Sequence, residues 1–394
     1  MPKSAPRHYG GLHNESAAVA NDLAAQGLVN PLTKKPYSEP LLFGIAGGID
    51  GAYWAYEVCG FVWLSVFGRR HYAKQETWYP ALAERLALDC RELQAGAKKD
   101  AAANLDGLLD AGLTAYCWVD LASLPYFALP AELKKAMPRV IAVTGRDADG
   151  NYLIEDRIDT PISISADDLM DARKEHPYPK TRVMALTATG KTPDVEAAIR
   201  AGIADCVDGM LHPPLNNFGL AAWAKWSDLL TNTKDKKGWP TLMQETSALR
   251  PGLKSIWMGI KVNTGGGLMR PLYGAFLTEA GTLLKDKSLK DLGNEFVRIG
   301  GLWDDLAGAA LPDSIKPLSE LKKMLEQRTS AMLSGPKGLA TVAKINATIE
   351  GLPPKLPAMN LDDKTRLALF ADLKSRLDTI RAAETKAIEG LAAI

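Results

Sequence analysis

The chain has 394 residues, enough for one large domain or two ordinary ones. Its 46% hydrophobic and 24% charged residues are ordinary globular values, which excludes a chain dominated by disorder. A formal net charge of only +1 offers no broad footprint for nucleic acid or a membrane surface.

Taken in order, residues 1–13 read as an irregular lead-in. Asn14 is a good N-cap, and Val19, Leu23 and Ala24 follow at helical spacing, so a helix is expected from Asn14 to about Gly27. Asn30 to Pro40 reads as a loop. Leu41 to Gly44 opens a short apolar element that runs into Gly47, Gly48 and Gly51. The longest apolar run, Val58 to Phe67, is roughly half the ~20 residues a spanning helix needs, so it reads as a buried segment. Helical patterns are expected at 76–94 and 103–111. Leu113 to Val119 is β-branched and aromatic and reads as a buried strand. Arg139 to Thr144 reads as a second strand, Asp147 to Gly150 as a hairpin turn, and Asn151 to Glu155 as the returning strand. Ser165 caps a short helix through Arg173, with Asp167 and Asp168 in its first turn.

Strand signals end near residue 190. Helical patterns follow at 193–203, 217–232, 268–286, 288–308, 316–346 and 361–392, with joints at Pro213-Pro214, Pro312 and Pro353 to Pro357. The fold class expected is α+β, with a division into residues 1–180 and an all-helical 190–394. The last helical stretch suits a long packed helix or an interface between copies of the chain, so a homo-oligomer is expected.

Four cysteines, Cys59, Cys90, Cys117 and Cys206, are far apart and form no CxxC pair, which argues against a zinc site or a disulfide framework. With a polar N-terminus that lacks an apolar signal core, they point to a reducing, cytoplasmic setting. No HExxH, EF-hand or dinucleotide fingerprint is present. Gly190-Lys191-Thr192 has Ala185 where the first phosphate-loop glycine belongs and Pro193 behind it. No metal and no cofactor is expected.

One constellation invites chemistry. A cysteine at a helix N-terminus gains thiolate character from the helix dipole, a strand histidine exchanges its proton, and a carboxylate orients the histidine. Gly11 to Ala17 supplies the helix head, Arg139 the strand and Asp156 the next strand, but with Asn14 and Arg139 in place of cysteine and histidine. Arg139 is expected to pair with Asp156 across the hairpin as a bidentate salt bridge. His13 reads as a loop or packing residue. Ser16 is a displaced candidate nucleophile with His13 as the adjacent base. A Cys206–His212 pair is a weaker alternative, since its flanks look like a helix end and a loop.

The order of these stretches resembles the family of BtrH, a butirosin-biosynthesis acyltransferase. The resemblance is carried by His13-Asn14-Glu15-Ser16-Ala17, Ser38-Glu39 to Gly47-Gly48, Val119-Asp120 to Pro125-Tyr126, Arg139 to Gly145, and Ile154-Glu155-Asp156. It continues through Asn217 to Trp226 and Gly265 to Ala280, and so covers most of residues 10–312. It implies a papain-like N-terminal domain, a helical domain of unknown function behind it, and acyl or aminoacyl transfer from a carrier-protein thioester onto an amine. The nucleophile, base and orienting carboxylate would fall at Asn14, Arg139 and Asp156. Asparagine is no nucleophile, and arginine stays protonated and cannot act as a base. The expected protein is therefore a catalytically degenerate member that binds a small-molecule or acyl ligand, a carrier protein or a biosynthetic enzyme. Glu15, Asp120 and Arg270 are candidate ligand-binding residues, Arg270 because it opens a helix behind Gly265-Gly266-Gly267. The alternative is an active acyltransferase or amide hydrolase that uses Ser16 or Cys206.

Overall fold

The computed structural model describes residues 7–58, 61–69, 78–135, 137–178, 180–262, 264–351, 355, 356, 359 and 361–394. Expectations that concern residues 1–6, Cys59, Glu76-Thr77 and the Pro353 to Pro357 joint fall outside these. In chain order, α1 (Asn14–Ala25) and α2 (Glu39–Ile45) precede strands β1 (Ile49–Val58) and β2 (Phe61–Arg69). Next come α3 (Trp78–Arg85), β3 (Leu88–Ala95), α4 (Lys98–Asp110), β4 (Ala115–Asp120), β5 (Pro138–Arg146), β6 (Tyr152–Glu155), β7 (Ile162–Ile164), α5 (Ala166–Lys174) and β8 (Thr181–Ala188). The described elements beyond are helical: α6 (Val195–Leu211), α7 (Gly219–Thr231), α8 (Trp239–Leu242), α9 (Thr246–Lys261), α10 (Arg270–Leu283), α11 (Lys287–Ala310), α12 (Lys316–Leu333), α13 (Leu339–Ile349) and α14 (Asp363–Ala392). The α+β class follows, with a sheet-bearing front and a helical back.

Packing gathers the described residues into two compact units, each discontinuous in sequence. One lies within Met1–Glu39, Leu86–Pro193 and Lys323–Leu356; the other within Pro40–Arg85, Asp194–Lys322 and Pro357–Ile394.

The first unit is built on an antiparallel sheet in the order β3-β8-β4-β5-β6-β7. Side chains alternate across it. Cys117, Val119, Ile141, Val143, Ile154 and Val183 join one core with Leu105 of α4, Leu169 of α5, Met332 of α12 and Val342 of α13. The opposite parity meets α1. The Tyr116 hydroxyl donates to Asp22 Oδ2 at 2.9 Å, and the Gln26 amide donates to the Leu186 carbonyl at 2.9 Å. Val19 and Leu23 of α1 are fully buried, each contributing about 1.5–3 kcal/mol of apolar burial.

The second unit holds the β1–β2 hairpin, helices α6 to α11 and α14. Its core is aromatic: Trp223, Trp226, Trp239 and Trp303 are all fully buried. Helices α10 and α11 approach through glycines. A Cβ on Gly274 would lie 2.5 Å from the Gly293 carbonyl oxygen, and one on Gly293 would lie 2.7 Å from that of Gly274.

Two sequence expectations are corrected. The helical pattern at 76–94 is helix only in Trp78–Arg85; Leu88–Ala95 is strand β3. Its helix formers yield because β8 pairs with it along its whole length. The pattern at 316–346 is two helices, parted at Gly335, whose φ of +68° an L-residue rarely adopts. Helices α8 and α9, and strands β1, β7 and β8, had no expected counterpart. Pro251 and Gly252 interrupt the periodicity of α9, yet it remains helical because its apolar face is buried at Leu253, Ile256 and Ile260. Within the apolar run at 58–67, Val58 ends β1 and Phe61–Phe67 belongs to β2, with Leu64 and Val66 buried. No described helix is long and apolar enough to cross a membrane.

Candidate functional site

The head of α1 differs from expectation by one residue. His13, not Asn14, is the N-cap: its backbone is extended and its Nδ1 accepts from the Ser16 amide at 3.4 Å. Asn14 is the first helical residue, and its side chain turns away from the cap to donate from Nδ2 to the Val140 carbonyl of β5 at 2.9 Å. The lead-in is held by Glu39, whose carboxylate accepts the amides of Leu12 (2.9 Å) and His13 (2.8 Å) and the Ser16 hydroxyl (3.0 Å). Burial raises the Glu39 pKa against those three donors. Close approach explains Gly11: a Cβ there would stand 2.3 Å from Ala17 Cβ and 2.9 Å from Glu39 Oε2.

On the strand side, Arg139 Nη2 donates to Asp156 Oδ1 at 2.7 Å. The pair is end-on rather than bidentate, because Arg139 Nε is buried without a partner. Asp156 is 1% exposed and collects two more neighbours: the Tyr126 hydroxyl donates to Oδ2 at 3.4 Å, and Arg157 Nε lies 3.7 Å from Oδ1. Burial and the Asp156 charge push the Tyr126 hydroxyl well above its ordinary pKa, so it remains a donor. Arg157 has φ +63°, unusual for a residue with a Cβ, and burial lowers its pKa. Its charge also acts on Glu39, so Glu39, Arg157, Asp156 and Arg139 form an alternating series of two negative and two positive groups. The Arg139 guanidinium stands 5.6 Å from the Phe127 ring centroid, and the Asn346 amide of α13 donates to the Phe127 carbonyl at 2.5 Å.

Asn14, Arg139 and Asp156 thus share one neighbourhood: Arg139 bonds Asp156, and Asn14 bonds the backbone of the residue after Arg139. Ser16 Oγ lies 3.2 Å from His13 Nδ1, but Ser16 is 0% exposed. Glu15 is buried within α1. Asp120 is buried at the end of β4, where it accepts from the Met137 amide (3.2 Å) and the Ser123 hydroxyl (3.1 Å) and closes a turn. Arg270 and Cys206 belong to the other unit. Arg270 is 0% exposed and gives Nε and Nη2 to the two oxygens of Glu384, at 2.7 and 3.1 Å. Cys206 is interior to α6 rather than at a helix end, and burial pushes its thiol up to about 12. His212 caps that helix in an exposed position, so the two do not pair. Among the described residues no group of three or more His, Cys, Asp or Glu is arranged to hold a metal ion.

Glu39, Arg157, Tyr126 and Phe127 were not singled out as site residues from the sequence. Glu39 and Tyr126 stand inside stretches that carried the resemblance; Arg157 gave no signal at all.

Residues 13–157 match the family model described as Butirosin biosynthesis protein H, N-terminal. Residues 167–331 match that of a domain of unknown function, DUF4872. Residues 13–157 are a BtrH-like N-terminal region. No curated protein matches the chain. The BtrH match begins at His13 and ends at Arg157, so the whole α1–β5–β6 cluster lies inside it. The compact units cut across both matches. Residues 40–85 of the BtrH match belong to the second unit, and residues 167–193 and 323–331 of the DUF4872 match belong to the first. Asn346, which touches Phe127, lies beyond both.

Proposed function

We propose that this protein is a papain-like acyltransferase relative that has lost the family's chemistry and keeps its cleft for binding. The ligand is an acyl or other small molecule, or a carrier protein or enzyme of a biosynthetic pathway. The observation that carries the reading is the Arg139–Asp156 pair beside the head of α1. It stands where the resemblance puts a base and its orienting carboxylate, with a permanently charged guanidinium in place of an imidazole. At the nucleophile position the Asn14 amide is committed to a backbone carbonyl and has no proton to exchange at neutral pH. A guanidinium half-held by Asp156 and stacked near Phe127 suits recognition of a carboxylate, a thioester carbonyl or a partner's acidic side chain.

The test is incubation with an N-acetylcysteamine acyl thioester and intact-mass analysis. No covalent adduct is expected. An acyl group trapped on Ser16 or Cys206 would establish the active alternative, for which the 3.2 Å Ser16–His13 contact is the favouring observation. The positional reading has its own check. The double variant Asn14→Cys with Arg139→His should become alkylated by iodoacetamide at position 14 faster than Asn14→Cys alone. Equal rates would show that the two positions do not work together.

A further inference from the structure

Two arginines of this protein are buried to the same degree and satisfied very differently. Arg270 is 0% exposed and Arg173 is 1% exposed. Each gives Nη1 to a backbone carbonyl at 2.9 Å: Arg270 to Leu268, Arg173 to Ala101. The side-on edge formed by Nε and Nη2 is where they part. In Arg270 that edge holds both oxygens of Glu384. In Arg173 both nitrogens are buried with no partner, and no carboxylate lies within ion-pair distance among the described residues.

A guanidinium cannot shed its proton at any working pH to escape this situation. An isolated buried charge costs several kcal/mol even after relaxation. Two groups that feel the Arg173 charge are the Cys117 thiol of β4 and the Tyr152 hydroxyl of β6. Both are neutral: burial raises the Cys117 pKa, and burial with the nearby Asp106 pushes the Tyr152 hydroxyl up to about 12. Neither supplies a counter-charge. The carbonyl that Arg173 reaches belongs to Ala101, which packs in a small apolar cluster with Ala95, Ala102 and Met170. A buried edge of two parallel N–H donors is a receptor for one compact anion.

We propose that Arg173 binds a small monoanion of the size of chloride inside the first unit, between α4, α5 and β4, and that this anion is part of the folded state. The anion does for Arg173 what Glu384 does for Arg270. It does not touch the Asn14–Arg139–Asp156 cluster, so it stands or falls apart from the ligand-binding reading.

Because the anion binds the folded state alone, stability should follow its concentration. The experiment measures thermal unfolding in mixtures of sodium chloride and sodium gluconate at constant ionic strength, following the first unit by hydrogen exchange of β4 and β8. Each tenfold rise in chloride above saturation should raise the midpoint by about 3–6 °C. Arg173→Met, which keeps the apolar stem and removes the charge, should be insensitive to chloride and no less stable than the parent in gluconate. Equal chloride dependence in parent and variant would overturn the proposal. If Arg173→Met fails to fold, crystals of the parent grown in bromide decide: anomalous density within hydrogen-bond distance of Nε and Nη2 supports it, and a water or nothing there refutes it.

Discussion

Glu384→Gln should unfold the second unit at far lower denaturant. Glu384 is fully buried, and its two oxygens take four donors: Arg270 Nε (2.7 Å), Arg270 Nη2 (3.1 Å), Trp303 Nε1 (2.7 Å) and Trp223 Nε1 (2.8 Å). Glutamine has nearly the same shape, so packing is spared. It offers one acceptor oxygen, and its amide nitrogen must face at least one donor head-on. The Arg270 guanidinium then remains buried with one amide oxygen and the carbonyls of Leu268 (2.9 Å) and Gly68 (3.3 Å) as acceptors, and no counter-charge. Removing one partner of a buried ion pair costs about 3–5 kcal/mol. Each orphaned donor adds about 1–3 kcal/mol, though not additively, so about 4 kcal/mol is the working figure. With a urea slope of about 2–3 kcal/mol/M, the midpoint should fall by about 1.5–2 M. Tryptophan fluorescence is the assay, because of the nine tryptophans all but Trp118 lie in the ranges of the second unit. Replacing both partners, Arg270→Met with Glu384→Gln, should recover much of the loss, since the charge itself is gone. A midpoint within about 0.5 M of the parent for Glu384→Gln would refute the reasoning, since it would mean that the carboxylate's charge contributes little at this site.

The glycine contact between α10 and α11 gives a paired prediction. Gly274→Ala should destabilise by about 1–3 kcal/mol through overpacking, because the added carbon would meet the Gly293 carbonyl at 2.5 Å; Gly301→Ala, with open space around it, should be neutral or gain up to about 1 kcal/mol, and equal effects in urea titrations would remove the steric account. Glu155 carries a pH signature. Burial outweighs the Arg7 charge 2.9 Å away and holds its carboxyl at about 7, so its contribution is fully present below pH 4.5 and lost as pH rises to 7. Relative to Glu155→Gln, the parent should therefore lose about 3 kcal/mol across that window in a pH series of denaturation curves; a flat difference would show the carboxyl titrates normally. His176 acts in the opposite sense. Burial first, then Arg182, holds its pKa down to about 4, so stability it contributes above pH 6.5 is lost as pH falls toward 4. His176→Asn should flatten the acid limb of thermal stability, and an unchanged limb would assign acid unfolding to other groups.

The parts of the site that the sequence disclosed are those fixed by neighbours along the chain. Asn14 sits at a helix head because a loop rich in glycine runs into an apolar 3.6 period, and Arg139 and Asp156 flank a hairpin because Asp147 to Gly150 turns the chain. The hairpin brings Arg139 and Asp156 together, whereas the expectation that Asn14 joins them came from the family resemblance. The N-cap was misplaced by one residue, since the side chain that caps is chosen by what else each candidate can reach: Asn14 reaches Val140 across 126 residues, which leaves the cap to His13. Arg157 was invisible, because a lone arginine after an aspartate has no pattern; only burial beside Asp156 and Glu39 gives it a role.

The sequence by itself determined the α+β class, the hairpin at 147–150, the capped helix at 165–174 and the helical character beyond residue 195, all of which rest on local periodicity and turn chemistry. The tertiary structure decided that Leu88–Ala95 is a strand, that residues 40–85 pack with the later helices, and that residues 323–356 return to the sheet. The physical reason is the same in each case. Those outcomes depend on which distant surface buries a segment, and burial energy of the order of kilocalories per side chain overrides propensities of a few tenths.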